Sequence, residues 1–241
     1  MGVFVMSIND DFYIRGNRLI SYVGKSNNVI VPSSIRRIED NAFSNSSITS
    51  IEMPYVEVVG EDAFSRCSEL KSVEMSTCLT IGDGAFMECG SLEKITFPVA
   101  NTIGVNAFCN CTNLREIEIP SSVHELGVLA FSGCTSLESI DLGNISCVGW
   151  GLFDKCISLK SISIPRSVLT ISTSAFAACQ NLEKVVLSSN IKIIAEYAFL
   201  CCINLKSICF EGSKEQWEAV RKYPNWDKCA GNYTITYNYK D

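Results

Sequence analysis

The chain has 241 residues, enough for one or two domains, and its 20 basic against 26 acidic side chains give a formal charge of −6, the wrong sign for a nucleic-acid footprint. At 47% hydrophobic and 19% charged it is too apolar for a disordered protein, yet no run approaches the roughly 18 apolar residues of a membrane-spanning helix. A single histidine, His124, rules out a His-pair metal site and leaves any triad chemistry to one residue.

The opening MGVFVMSINDDFYIRG lacks a basic n-region, and its apolar stretch stops at Met6, so no secretory signal is read there. Residues 11–23 read as a β-hairpin turning at Gly16-Asn17, followed by the apolar run Val29-Ile30-Val31-Pro32. Residues 1–32 are assigned as an N-terminal cap.

From 33 to 210 one unit recurs eight times. Its anchor is a phenylalanine at Phe43, Phe64, Phe86, Phe108, Phe131, Phe153, Phe176 and Phe199, at spacings of 21 to 23 residues. A cysteine follows three residues later from Cys67 to Cys202, and a leucine three after that from Leu70 to Leu205. In the first unit Ile48 takes the leucine place and Asn45 or Ser46 stands where the cysteine belongs. Then comes an apolar pair two apart, as in Val73 and Met75, often closed by proline as at Pro54, Pro98, Pro120 and Pro165.

In Ala63-Phe64-x-x-Cys67-x-x-Leu70 the apolar places fall at i, i+1, i+4 and i+7, which predicts a short helical turn with that face inward. In Ser72-Val73-Glu74-Met75 apolar and polar residues alternate, which predicts a strand with Val73 and Met75 inside. Each unit is thus expected to supply one helical turn and one strand. Gly60, Gly82, Gly104, Gly127 and Gly149 sit four residues before the phenylalanine, where a positive φ is expected.

Residues 211–241 read as a C-terminal cap. Ser213-x-x-Gln216 is a capping box opening a helix with Trp217 and Val220, and Tyr233, Ile235, Tyr237 and Tyr239 alternate with polar residues as a closing strand. A solenoid without such ends would expose its core and its sheet edges.

The pattern L-x-x-I-x-I-P, the Ile-Gly pair and A-F-x-x-C-x-x-L, recurring at 22–23 residues, resemble the BspA-like leucine-rich repeat family. The likeness extends to Leu19-Ile20-Ser21-Tyr22-Val23-Gly24 with Val29-Ile30-Val31-Pro32 at one end and to Glu211–Trp217 at the other. The resemblance implies an α/β repeat fold: a right-handed leucine-rich-repeat solenoid with a parallel concave β-sheet, short helical turns on the convex side and caps at both termini. Residues 1–241 are taken as one such domain. The implied role is protein binding, often at a cell surface or in adhesion.

The seven cysteines in register read as small apolar residues on the buried face of each coil, and with no C-x-x-C pair in the chain no metal or cofactor is expected. Cys78, Cys147, Cys209 and Cys229 fall outside that column. His124, beside Glu125, reads as a partly exposed loop residue, and no nucleophile elbow, dinucleotide fingerprint or phosphate loop occurs.

The repeat does not dictate the outward strand positions, so function is sought there. One row reads Glu52, Glu74, Thr96, Glu118, Asp141, Ser163, Val186 and Cys209, and the row two residues earlier includes Lys94 and Glu116. Glu52, Glu74, Lys94, Thr96, Glu116, Glu118 and Asp141 are therefore the candidate partner-binding residues, and the acidic bias selects a basic protein segment as the complement. The expected function is a non-enzymatic, monomeric protein-binding module, the alternative being an intracellular scaffold or assembly domain of the same fold. The resemblance implies a cell-surface or secreted location, whereas the cysteine pattern fits a reducing compartment, and the location is left open.

Overall fold

Alternation of inward apolar and outward polar residues, repeated once per coil, builds a parallel-sheet β-solenoid. The computed structural model describes the backbone of residues 6–9 and the whole of residues 11–240. Each coil contributes a short strand whose middle residue faces the core, buried in Ser50–Glu52, Ser72–Glu74 and Lys94–Thr96. Successive strands pair in parallel without slippage, Ser50 opposite Ser72 opposite Lys94. This ladder runs from Asn28–Ile30 to Lys94–Thr96, resumes as the pair Glu116–Glu118 and Ser139–Asp141, and resumes again from Ser161–Ile164 to Thr234–Thr236.

A second parallel ladder, which the sequence reading did not foresee, is made by two-residue strands such as Val58–Val59, Thr80–Ile81 and Thr102–Ile103. A single bridge carries it from Ile103 to Leu126 and another joins Val148 to Ile171, from which it runs on to Ile193–Ile194; among the described residues no pairing joins Leu126 to Val148. Two residues are too few to show a period of two, so the pattern is silent in any one coil.

The expected helical turns are absent among the described residues. The segment around each phenylalanine is a string of tight turns with left-handed residues two before and two after it, such as Asp62 and Arg66 or Asn106 and Asn110. Ser65 and Cys67 donate their N–H groups to carbonyls three residues back, at 3.0 and 3.1 Å. Asp62, Phe64 and Arg66 instead donate to Asp83, Ala85 and Met87 of the next coil, at 2.8, 2.8 and 2.7 Å. A helix would have used those N–H groups internally; here they tie coil to coil.

The glycine column also has a different cause from the one expected. Gly82 lies at negative φ, and a Cβ there would stand 2.7 Å from the carbonyl carbon of Gly60, so the requirement is close approach of neighbouring backbones. At Gly149 the same atom would meet nothing nearer than 3.8 Å, and the following coils carry Ser172 and Ala195 in that column.

One apolar core extends from Phe12 to Val220. Along its centre the phenylalanines stack nearly parallel, at centroid separations from 4.8 Å for Phe43–Phe64 to 5.8 Å for Phe131–Phe153. Tyr22 extends the stack at one end, 5.0 Å from Phe43, and the edge of Trp226 meets Phe199 at the other, at 6.0 Å.

At the N-terminal end Met6–Asn9, Phe12–Arg15 and Arg18–Tyr22 form an antiparallel meander, with Gly16 at φ +63 in the turn. At the C-terminal end the Ser213/Gln216 capping box opens the helix Lys214–Ala219, which buries Trp217. The closing strand is shorter than its alternation suggests and stops at Thr236. Asn238, at φ +53, turns the chain back, and the Lys184 ammonium donates to the Tyr239 hydroxyl at 2.8 Å and lies 4.8 Å from its ring. The tail thereby crosses the outward face of the last strands, where Val186 and Cys209 are buried.

Candidate functional site

The rows of outward strand residues arise from the period of two: with Val73, Ile95, Ile117 and Ile140 directed to the core, their neighbours face solvent. Glu52, Glu74, Lys94, Thr96, Glu116, Glu118 and Asp141 are all exposed. The register sets Glu52 opposite Glu74 and Glu118 opposite Asp141, so both like-charged pairs expected from the sequence stand on adjacent strands. At the far end of the same row Val186 and Cys209 are not available as surface, for the reason given above.

The structure adds a seam that the sequence did not show. Among the described residues no strand pairing joins Lys94–Thr96 to Glu116–Glu118, or Ser139–Asp141 to Ser161–Ile164. Along the first gap an open cleft of about 460 Å³ has Ile95, Ile117 and Ile140 in its floor and Glu93, Glu116, Glu118 and Asp141 around it, with Lys94 as the one cation of its lining. Ile95 and Ile117 retain 7% and 6% exposure and Ile140 is half-buried, whereas Val185 and Ile208, in the unbroken ladder, are fully buried. A neighbouring cleft of about 350 Å³ is walled by Phe97, Pro98, Glu118 and Pro120. Four carboxylates against one ammonium around an apolar floor suit a side chain with an apolar stem and a cationic head.

A further row was missed, although the residue after each core leucine could have revealed it: Lys71, Glu93, Arg115, Glu138, Lys160, Glu183 and Lys206 alternate in sign coil by coil. Lys160 reaches Glu138 at 3.4 Å and Lys206 reaches Glu183 at 2.8 Å. This row is close to neutral, so the negative charge of the face comes from the two strand rows beside it.

The cysteine column has a directional role beyond its size. Each thiol donates to the phenylalanine carbonyl of the preceding coil: Cys89 to Phe64 at 3.1 Å, Cys111 to Phe86 at 3.1 Å, Cys134 to Phe108 at 3.2 Å and Cys156 to Phe131 at 3.2 Å. Burial pushes the thiols of Cys111, Cys156 and Cys179 well up, and those of Cys78 and Cys202 to about 12. In the first unit Ser46 holds the place, its hydroxyl 3.3 Å from the Cys67 sulfur. Of the six cysteines outside the column, Cys78 and Cys209 are buried, Cys109, Cys147 and Cys201 are half-buried and Cys229 is exposed. His124 is exposed and lines a cleft with Glu125 and Asp83. Among the described residues no three His, Cys, Asp or Glu side chains converge as a metal site, and no helix is long and apolar enough to cross a membrane.

The repeat agrees with a family model for the BspA type leucine rich repeat region, which matches six copies over residues 7–114 and 101–219. This chain belongs to the BspA-type leucine-rich repeat family. Among solved structures it is similar to a leucine-rich repeat protein from Bacteroides ovatus, with a TM-score of 0.76 and 25% identity over 98% of this chain and 69% of that one. It is also similar in fold to the leucine-rich repeat protein of T. pallidum, at TM-score 0.59 and 21% identity over 95% and 97% of the two chains. One from Eubacterium ventriosum gives a TM-score of 0.58 and 18% identity over 86% and 77%. The search of curated proteins gave no match. As a BspA-type solenoid, the chain is a protein-interaction module.

Proposed function

We propose that this solenoid is a non-enzymatic binding module that takes a basic segment of a partner protein on the outward face of its three-residue strands, the face expected to be concave. The observation that carries the reading is the acidic cleft over the open seam, where Glu116, Glu118 and Asp141 stand around the partly uncovered Ile95, Ile117 and Ile140. Directly opposed carboxylates destabilise a sheet, by about 1 kcal/mol per pair at such separations in water, less in salt. The fold has no use for that repulsion, whereas a cationic partner relieves it.

The test is the double variant Glu118→Gln with Asp141→Asn, titrated with a synthetic lysine-serine repeat peptide at low salt. It is expected to melt at the same temperature as the parent or slightly higher, and to bind the peptide at least several-fold more weakly. Loss of stability with unchanged peptide affinity would make the carboxylates structural and refute the site.

A further inference from the structure

The residue three places before each core phenylalanine is polar in five of the eight coils, with Asp83 and Glu196 among them, but Val105, Val128 and Trp150 in three successive ones. Backbone bonds hold this row in register: Gly84 donates to the carbonyl of Val105 at 2.8 Å, Asn106 to that of Val128 at 2.9 Å, and Leu129 to that of Trp150 at 3.1 Å. Trp150 is 50% exposed and Val105 38%, while Val128 and Leu129 are half-buried.

Leu129 adds an independent sign. It sits at φ +58, in the left-handed position that the other coils fill with Asn41, Asp62, Gly84, Asn106, Gly151, Ser174 and Tyr197, of which the glycines, asparagines and Asp62 enter this region far more readily than leucine. Its side chain lies across Gly151, beside Trp150. Six of the seven other coils meet the same backbone demand with small or polar residues and the last with the half-buried Tyr197, so folding does not call for an aliphatic side chain here. Strain held at a partly exposed apolar residue next to an exposed tryptophan is the pattern of a contact surface.

Half of a tryptophan together with smaller shares of three aliphatic residues offers about 250 Å², far below the roughly 800 Å² per partner of a stable dimer. Two copies would also bring net charges of −6 together. A short segment with one or two anchors fits the area instead. Beside Val105 an open cleft of about 380 Å³ is flanked by Asp83 and Glu125, so that end of the stripe is acidic, whereas Thr173 follows Trp150 at the other.

We propose that Val105, Val128, Leu129 and Trp150 form a second docking surface, sharing no residue with the acidic cleft, for an extended segment of a partner protein that carries one or two large apolar side chains flanked by lysine or arginine. Trp150 supplies the anchor contact, and Asp83 and Glu125 receive the flanking cation.

The test titrates the protein with the peptide Lys-Lys-Leu-Phe-Leu-Lys-Lys, following tryptophan emission and calorimetric affinity, with a Glu-flanked analogue and an all-lysine peptide as controls. The parent is expected to bind the first peptide with a blue shift that neither control produces, since a lysine peptide held by the acidic cleft leaves Trp150 uncovered. Trp150→Ser should abolish the shift. Leu129→Asn should weaken binding at least fivefold while leaving the melting temperature equal or higher, since asparagine suits the left-handed position. The Glu118→Gln, Asp141→Asn variant should keep this affinity, which separates the surface from the cleft. The proposal fails if the parent ignores the peptide, if the all-lysine control gives the same blue shift, or if Leu129→Asn melts lower and binds unchanged. It also fails if sedimentation shows a parent dimer that Trp150→Ser dissolves, because the occupant is then a second copy.

Discussion

Replacing Phe131 by alanine probes the register of the whole solenoid at one point. The ring is fully buried between Phe108 at 5.4 Å and Phe153 at 5.8 Å. Removing it forfeits about 2 kcal/mol of transfer free energy. The void of about 100 Å³, at about 24 cal/mol per Å³, adds a further 2.4 kcal/mol or so if nothing collapses into it. Collapse is resisted because the flanking backbones are tied across the gap, Phe108 donating to Ala130 at 2.9 Å and Phe131 to Leu152 at 3.1 Å. The expected cost is therefore about 4 kcal/mol, in the middle of the usual range for such truncations and a large share of a typical domain's stability. Urea unfolding followed by circular dichroism should show a lower midpoint with an unchanged slope. End coils are not spared: Phe43 has Tyr22 on its outer side, so Phe43→Ala should also cost several kcal/mol rather than half as much. A loss below about 0.5 kcal/mol at Phe131 would refute the stacked core, since only exposed sites behave that way.

The column thiols should resist modification in the native state, because burial both raises their pKa and blocks access. Titration with an aromatic disulfide should label Cys229 first and the half-buried Cys109, Cys147 and Cys201 more slowly, with Cys111, Cys134 and Cys156 reacting only after denaturation; native labelling of Cys111 would overturn the packing. At the N-terminal end the Arg18 guanidinium donates two bonds to Glu39 at 2.6 Å and holds that carboxyl below its ordinary 4.5. A carboxyl lowered on folding adds stability that is fully present above its unfolded value and is lost as the pH drops through the folded one. Stability should therefore fall as the pH drops below about 4.5, and Glu39→Gln should flatten that part of the profile; an equal slope in the variant would show the pair to be inert.

Which residues make the core, and in what order they stack, is legible in the repeat alone. Phe, Cys, Leu and the paired apolar strand residues recur at a fixed spacing, and burial of one row against its own copies needs no information beyond the period. The Gly16-Asn17 turn and the Ser213/Gln216 box were legible for the same reason, since their hydrogen bonds close within a few residues. The exposure of Glu118 and Asp141 followed from strand alternation alone. Other features depended on partners about one coil away, which no local pattern carries. The spacing Ala63, Phe64, Cys67, Leu70 suits a helix, but the N–H groups of Asp62, Phe64 and Arg66 found carbonyls on the next coil and the backbone alternated its hand instead. Gly82 answers to the nearness of Gly60, not to its own φ. The open seam beside Thr96, the tail folded over Lys184, and the meeting of Val128, Leu129 and Trp150 on one surface were likewise decided only when separate coils were laid side by side.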